Sequence, residues 1–457
     1  MQATGDPALF TITELGAAYR AGRLSPVEAT QLCLDRIARL DPSLHAFLSV
    51  TGDLALAQAR TAADELARGR DRGPLHGVPI GLKDLIDVAG QPTTAASGVF
   101  ADRIATEDAE VVRRLREAGA VFLGKLNLHE IAYGGSGYIG HGPASRNPVN
   151  AAHICGGSSS GSAAAVGAGL CYAALGSDTS GSIRLPAALC GIVGFMASYG
   201  LVSLRGVMPL SSSYDHVGPM TRSVRDAALV LAAIAGHDAR DITSLAIPLA
   251  DYAAAADAPT ARLRIGVARP HFFVDLHPDV AAAMERALAL LANLGAELRD
   301  IAPPVDDDRT VFRAESYAFH RRFMESTPER YQPETLRRLR TGAEVTASDY
   351  IEKWQHLQQM RRGSGALFDG IDLIVTPTVP MPAPTFAGLE TDPDTLRPKE
   401  LVLMRNTRPF DIWGTPAVSI PCGITAAGLP IGLQIAGPIG AEANVLRLAA
   451  AFERHHA

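Results

Sequence analysis

Two serine clusters and one lysine are the residues of this chain best placed to do chemistry. Residues 155–186 read CGGSSSGSAAAVGAGLCYAALGSDTSGSIRLP. Serine-rich segments at 158–162 and 177–182 bracket an apolar run of 13 residues, 163–175. Glycine-rich turns carrying hydroxyls present backbone N–H groups and side-chain oxygens to one spot. A nucleophilic serine beside an oxyanion hole needs that arrangement. The run between the clusters is too short to span a bilayer. Its Ala and Gly content predicts a buried helix that other backbone can approach closely.

Several chemistries compete for this stretch. Gly157-Ser-Ser159-Ser-Gly161 fits G-x-S-x-G, the nucleophile elbow of α/β hydrolases. The elbow needs a strand before it, and 152–155 is poor material for one. A phosphate loop needs Lys and then Ser/Thr after its second glycine. Here Gly161 is followed by Ser162 and Ala163. A purely structural glycine-rich turn is the plain alternative. Lys83 lies inside the apolar run HGVPIGLKDLID, 76–87, which predicts a strand bounded by Gly77 and Gly90. A lysine in such a place ordinarily reaches solvent from a strand edge. This chain, however, has only four lysines (83, 125, 353, 399) against 38 arginines. A lysine in apolar sequence therefore asks for a reason.

The elements around these residues read as an α/β layered core. Thr11-Ile-Thr-Glu14 and Ser25-Pro-Val-Glu28 are capping boxes, the second with Pro at the first helical position. Val27, Leu32, Ile37 and Leu40 then share a broadly apolar helical face. Residues 53–68, 108–118, 225–236, 280–294, 315–322, 350–367 and 443–453 read as further helices. Strands are expected at 120–126, 264–268, 417–421 and 431–436, and at 374–384 running into a proline-stiffened loop. Residues 127–150 form a long Gly/Pro/Asn-rich segment, and 237–261 a connector. The histidines at 129, 141 and 153 have no metal-ligand spacing, so no metal is expected.

Composition narrows the partners. The 457 residues are 47% hydrophobic and 20% charged, the balance of an ordinary globular protein. A net charge of −6 gives no electrostatic footprint for nucleic acid or an anionic membrane. The five cysteines (33, 155, 171, 190, 422) are scattered, and we read them as reduced thiols in a cytoplasmic protein. MQATGDPALF carries neither a basic n-region nor an apolar h-region of an export signal.

Four motifs together resemble one family. GVPIGLKDLIDVAG, CGGSSSGSAAAVGAG, GSDTSGSIRLPAALCGIVG and GLPIGLQIAG, in that order, are similar to those of the amidase signature enzymes. The likeness runs from about residue 10 to the C-terminus. It is clearest over 75–230 and again over 372–454. It implies a single domain over 1–457, a mixed β-sheet core covered by helices on both faces, with a helical insertion near 300–370. It also implies a Ser–cisSer–Lys triad: Ser182 as nucleophile, Ser158 as the cis-serine 24 residues earlier, and Lys83 as base. The oxyanion hole would be the N–H groups of Thr179, Ser180, Gly181 and Ser182. Tyr133, Gly134 and Trp413 are the expected pocket walls, with core packing the competing role for Trp413.

Elementary chemistry agrees with those assignments. A serine hydroxyl is a weak nucleophile and needs a base. Neutral lysine serves if burial disfavours its charge. Ser158 can then relay a proton between Lys83 and Ser182. Asp84 is expected on the strand face opposite Lys83 and Asp87 on the same face. The rival Ser-His-Asp reading is weakened because His216 directly follows Asp215.

This sequence departs from the family pattern at three places. Ser160 and Ser180 each replace a glycine, and Phe195-Met-Ala-Ser198 replaces F-K-P-T. A serine at 180 would be strained if that site required a positive φ. The expected activity is hydrolysis of amides through a serine acyl-enzyme, without cofactor, extending to aryl amides, esters and carbamates (a urethanase-like activity). The expected partner is thus a small-molecule substrate, with a homodimer admitted, and no nucleic acid or membrane. The alternative is the catalytic subunit of a glutamyl-tRNA amidotransferase complex.

Overall fold

The computed structural model describes residues 5–259, 262–389 and 393–456. Among them, eleven strands build one sheet: β1 (Phe47–Val50), β2 (Pro79–Lys83), β3 (Val121–Leu126), β4 (Ala173–Asp178), β5 (Val193–Met196), β6 (His216–Thr221), β7 (Arg264–Val267), β8 (Glu297–Asp300), β9 (Leu373–Pro377), β10 (Ala417–Ile424) and β11 (Pro430–Ala436). Their spatial order is β1-β3-β2-β4-β6-β5-β10-β11-β9-β7-β8. The sheet is mixed. β2 runs parallel to β3 and β4, and β7 parallel to β8 and β9, while the other neighbours are antiparallel. Helices flank it.

Every residue of β2, β3 and β4 is buried. Parallel neighbours covered on both faces show such continuous burial instead of an in–out alternation. Lys83, at the end of β2, therefore has no water to reach from the sheet. β2 and β4 point the same way, so Lys83 and Asp178 end their strands at one edge. Sites in parallel sheets form beyond such carboxyl ends.

Local signals explain most elements. Both capping boxes close, Thr11 with Glu14 and Ser25 with Glu28. The apolar run 163–175 is not one helix. The helix Ser160–Gly167 stops, Gly169 adopts φ +66°, and the remainder pairs as β4 with β2 and β6. A left-handed glycine ends a helix by satisfying its last carbonyls; here Leu170 N–H donates to Ala165 at 2.8 Å. Strands β1, β5, β6 and β8 and the helix Arg184–Cys190 carry no clear period in sequence. The connector at 237–261 contains a short helix, Tyr252–Asp257. All five cysteines are buried and unpaired. Among the described residues, no helix is long and apolar enough to cross a membrane.

Candidate active site

Lys83 is completely buried, and its Nζ touches three serine hydroxyls. Ser158 Oγ lies at 2.7 Å, Ser177 Oγ at 2.8 Å and Ser159 Oγ at 2.9 Å. Burial pulls the Lys83 pKa down to about 7, against the charges of Asp178 and Asp215, which raise it. Asp84 and Asp87 take no part. Asp84 pairs with Lys125 at 2.9 Å, and Asp87 with Arg103 at 2.6 Å. The expectation for Asp87 fails because β2 ends at Lys83, so strand alternation does not continue to residue 87.

The Gly157–Ser158 peptide is cis. The segment is fixed from both sides: Gly157 N–H donates to the Gly135 carbonyl at 2.8 Å, and the Ser158 carbonyl accepts His129 N–H at 3.0 Å. Ser159 is fully engaged. Its hydroxyl donates to the Ser177 carbonyl at 3.1 Å and accepts Ser177 N–H at 3.3 Å. Its own N–H donates to the Ser182 carbonyl at 3.3 Å, which brings the two serine clusters together. The elbow reading of Ser159 falls here, because His153 and Ile154 form only isolated bridges and no strand precedes the turn.

The loop carrying Ser182 is wound around Asp178. The carboxylate accepts N–H from Gly181, from Ile183 at 3.1 Å and from Arg184 at 3.4 Å, and it pairs with Arg184 Nε at 3.0 Å. Gly181 is thereby corrected as an oxyanion donor, since its N–H is already committed to Asp178. The N–H groups of Thr179, Ser180 and Ser182 have no acceptor among the described residues. Gly181 itself is dictated by crowding. It adopts φ +118°, and a Cβ there would lie 1.9 Å from Thr407 Oγ1. Ser180 stays outside the left-handed region, so the serine at that position carries no backbone strain. Its carbonyl accepts Thr407 Oγ1 at 2.7 Å, and Thr179 Oγ1 donates to Asp215 at 2.6 Å. Ser160 opens the helix Ser160–Gly167, and Met196 ends β5, both buried.

Arg184 anchors this loop to the far half of the sheet. It also reaches Asp411 at 2.6 Å, Gln434 Oε1 at 2.8 Å and the Thr407 carbonyl at 2.9 Å, all fully buried. Burial alone would raise Asp178, but the Arg184 charge and hydrogen bond, with the charge of His216 and the Ile183 N–H, together outweigh it and hold the carboxyl below the ordinary range. Burial, then the charge of Asp178, pushes Asp411 well up. Asp178 therefore keeps the negative charge of the pair. His216 makes no hydrogen bond to Ser182 among the described residues. Its Nδ1 faces the Asp178 carbonyl at 3.2 Å, and burial pulls its pKa down to about 4.

A family model for amidases matches residues 28–446. The chain belongs to the amidase family. The A subunit of the glutamyl-tRNA(Gln) amidotransferase from Moorella thermoacetica is 39% identical to this amidase, over 97% of the chain and 96% of the relative. Among solved structures, 6-aminohexanoate cyclic dimer hydrolase complexed with substrate superposes with a TM-score of 0.90 at 28% identity, covering 99% and 98% of the two chains. The A subunit of the glutamyl-tRNA(Gln) amidotransferase from Thermotoga maritima gives 0.79 at 32% identity, covering 99% and 96%. The amidase is accordingly a hydrolase of amide C–N bonds.

The three expected pocket residues of this amidase separate. Tyr133 is buried with its ring edge-on to Phe312 at 5.0 Å, beside the segment that holds Ser158. Gly134 is there because His129 fills the space: a Cβ would come within 2.1 Å of that ring. Trp413 is not a pocket wall. It is 1% exposed, edge-on to Phe410 at 5.1 Å and tilted against Phe272 at 6.5 Å, so its indole is core. Ser177, Asp178, Arg184, Asp215 and Thr407 surround Lys83 and the loop that carries Ser182, and none of them is among the expected triad, oxyanion or pocket residues. The first three lie within GSDTSGSIR, where the signal was present. Asp215 and Thr407 arrive from distant segments and have no local mark.

Proposed function

We propose that the amidase cleaves its substrate through an acyl-enzyme on Ser182, with Ser158 as proton relay and Lys83 as base. The observation that carries this is the 2.7 Å contact between Lys83 Nζ and Ser158 Oγ in a fully buried site. A protonated Lys83 donates to all three hydroxyls. A neutral one has two N–H bonds and a lone pair, so one hydroxyl must turn and donate to it. Ser159 cannot, because its proton is held by the Ser177 carbonyl. Ser158 and Ser177 can, and when Ser158 does, its oxygen is free to take the proton of Ser182 as Ser182 Oγ attacks the carbonyl carbon. The oxyanion is received by the free N–H groups of Thr179, Ser180 and Ser182. Collapse breaks the C–N bond, and the nitrogen leaves with the proton returned through Ser158. Water then attacks the ester along the same relay.

Sequence likeness supports one setting for this chemistry, the A subunit of a glutamyl-tRNA(Gln) amidotransferase. The 39% identity to the Moorella protein holds over nearly the whole of both chains. In that setting the amidase works beside partner subunits on a tRNA-linked product. A second reading, an independent hydrolase of small amides, is favoured by the backbone, which fits the cyclic dimer hydrolase better (0.90) than the Thermotoga protein (0.79). Purified chain assayed alone on amides, esters and carbamates decides between them. Turnover by the isolated chain favours the independent hydrolase. No turnover, with Ser182 still labelled by a phosphonyl fluoride, favours the amidotransferase setting.

A further inference from the structure

One buried carboxylate grips the backbone on which the Ser158 turn rests. Glu400, on the helix Pro393–Leu403, is completely buried. Its Oε1 accepts Ser136 Oγ–H at 2.6 Å and Ser136 N–H at 3.2 Å. Its Oε2 pairs with Arg338 Nη1 at 2.8 Å and Arg397 Nη1 at 3.4 Å. His129 Nδ1 lies 3.7 Å from Oε1. Burial pulls the His129 pKa down to about 3, against the charge of Glu400, which raises it. The imidazole is therefore neutral, and the two arginines match the carboxylate charge. Arg338 comes from the helix Pro333–Arg340 and also donates to the Tyr133 carbonyl at 2.7 Å.

The segment held in this way, 129–137, lies directly against the serine turn. The Gly135 carbonyl accepts Gly157 N–H at 2.8 Å, and His129 N–H donates to the Ser158 carbonyl at 3.0 Å. Neither face of the segment has slack. A Cβ at Gly157 would come within 2.5 Å of Gly137 N, and one at Gly135 within 3.0 Å of Met404 Cγ. Bare backbone is thus packed between the turn and the end of the helix that carries Glu400. A displacement of Ser136 passes through Gly135 to Gly157, and so to the 2.7 Å contact between Ser158 Oγ and Lys83 Nζ.

Stability does not explain a carboxylate in this place. A buried ion pair gains little over apolar packing of similar volume. Charge-assisted hydrogen bonds do, however, fix geometry closely. Among the described residues Glu400 makes no hydrogen bond to Lys83, Ser158 or Ser182, so any effect on the reaction passes through the backbone it holds.

We propose that Glu400 is a positioning residue: through Ser136 and Gly135 it sets the Ser158 turn at the distance from Lys83 that proton transfer needs. A misplacement of about 1 Å can cost about 100-fold in rate. The inference rests on the proposed role of Ser158 as relay.

The test is the rate at which a phosphonyl fluoride labels Ser182, which needs the relay but no knowledge of the natural substrate. The limiting rate constant and the half-saturating reagent concentration are measured on the full chain, as wild type, Glu400→Gln, Ser158→Ala and the double variant. Glu400→Gln keeps the shape and an acceptor for Ser136 but removes the charge that holds the arginines. It should lower the limiting rate about 10- to 100-fold and leave half-saturation within about twofold. In the Ser158→Ala background the same substitution should cost nothing further, because residues that act as a unit are not additive. If Glu400→Gln fails to fold, Ser136→Ala decides by the same comparison, with a loss of about three- to tenfold for the missing hydroxyl bond. An unchanged rate in the folded variant, a loss seen only as weaker reagent binding, or an equal loss in both backgrounds overturns the positioning role while leaving the relay in place. Ser158→Ala protein that is labelled as fast as wild type overturns the relay, and the role of Glu400 with it.

Discussion

Lys83 Nζ and Ser158 Oγ are 2.7 Å apart at a point where neither can reach water. The contact joins the end of a strand to the turn before a helix 75 residues later. Its direction depends on one proton. With Lys83 charged, Ser158 accepts. On the proposed mechanism, with Lys83 neutral, Ser158 donates and can act on Ser182. The site would then be switched on by losing a proton.

Ser182→Ala should remove turnover, by roughly ten-thousand-fold or more, as loss of a nucleophile does. It should also abolish covalent labelling by a phosphonyl fluoride. Labelling that persists on another serine would show that Ser182 is not the nucleophile. Mass spectrometry of wild-type and mutant peptides gives the answer directly.

Ser158→Ala should be the more severe of two neighbouring mutations. Loss of a proton relay costs about 100- to 10,000-fold in kcat. Ser159 also touches Lys83, but its hydroxyl is spent on the Ser177 backbone. Ser159→Ala should therefore act mainly through stability, lowering kcat by no more than about tenfold while costing about 1 kcal/mol for each lost hydrogen bond. A dead Ser159 variant beside an active Ser158 variant would reject the relay.

Much of this was legible because the chemistry sits inside contiguous motifs. Ser158, Ser182 and Lys83 each carry a local signature, and the cis peptide falls where the resemblance places it. The strand ends that aim them follow from the burial of β2 and β4. What was not legible is what arrives across the sequence. Thr407 meets the nucleophile loop from 227 residues away, and Asp215 meets Thr179 from 36. Gly181 reads as an oxyanion donor in sequence, but Asp178, three residues earlier, holds its N–H. Trp413 could be wall or core on sequence grounds, and only the packing of Phe410 and Phe272 against it decides for core.

The buried Asp178–Arg184 pair should be needed for the fold of the loop. Arg184→Met leaves the Asp178 charge uncompensated in a fully buried place, which costs about 3–5 kcal/mol. Asp178→Asn should cost more than Asp411→Asn, because Asp178 carries the charge and Asp411 is pushed toward its neutral form. Denaturant midpoints of the three variants test this. Equal midpoints for the two aspartate variants would contradict the assignment of charge.

The pH profile tests the base. Burial places the Lys83 pKa at about 7. A lowered pKa means that the neutral amine grows in as pH rises through that value, so kcat/KM should rise through about pH 7 and then level. Lys83→Ala should lose both the rate and the rise. Lys83→Arg should not restore them, because a guanidinium stays protonated. Asp215 complicates the curve in a useful way. Burial pushes its carboxyl up to about 7 as well, and its negative charge raises Lys83. The two groups therefore titrate as a pair, and the midpoint belongs to both. Asp215→Asn removes the charge. It should move the midpoint toward lower pH, whatever it does to the height of the plateau by loosening Thr179. Profiles of wild type and the three variants, recorded over about pH 5.5 to 9.5 where a lysine of this kind titrates, give a clear outcome. A wild-type rate that falls through neutrality, or an Asp215→Asn midpoint that moves up, would remove Lys83 from the role of base.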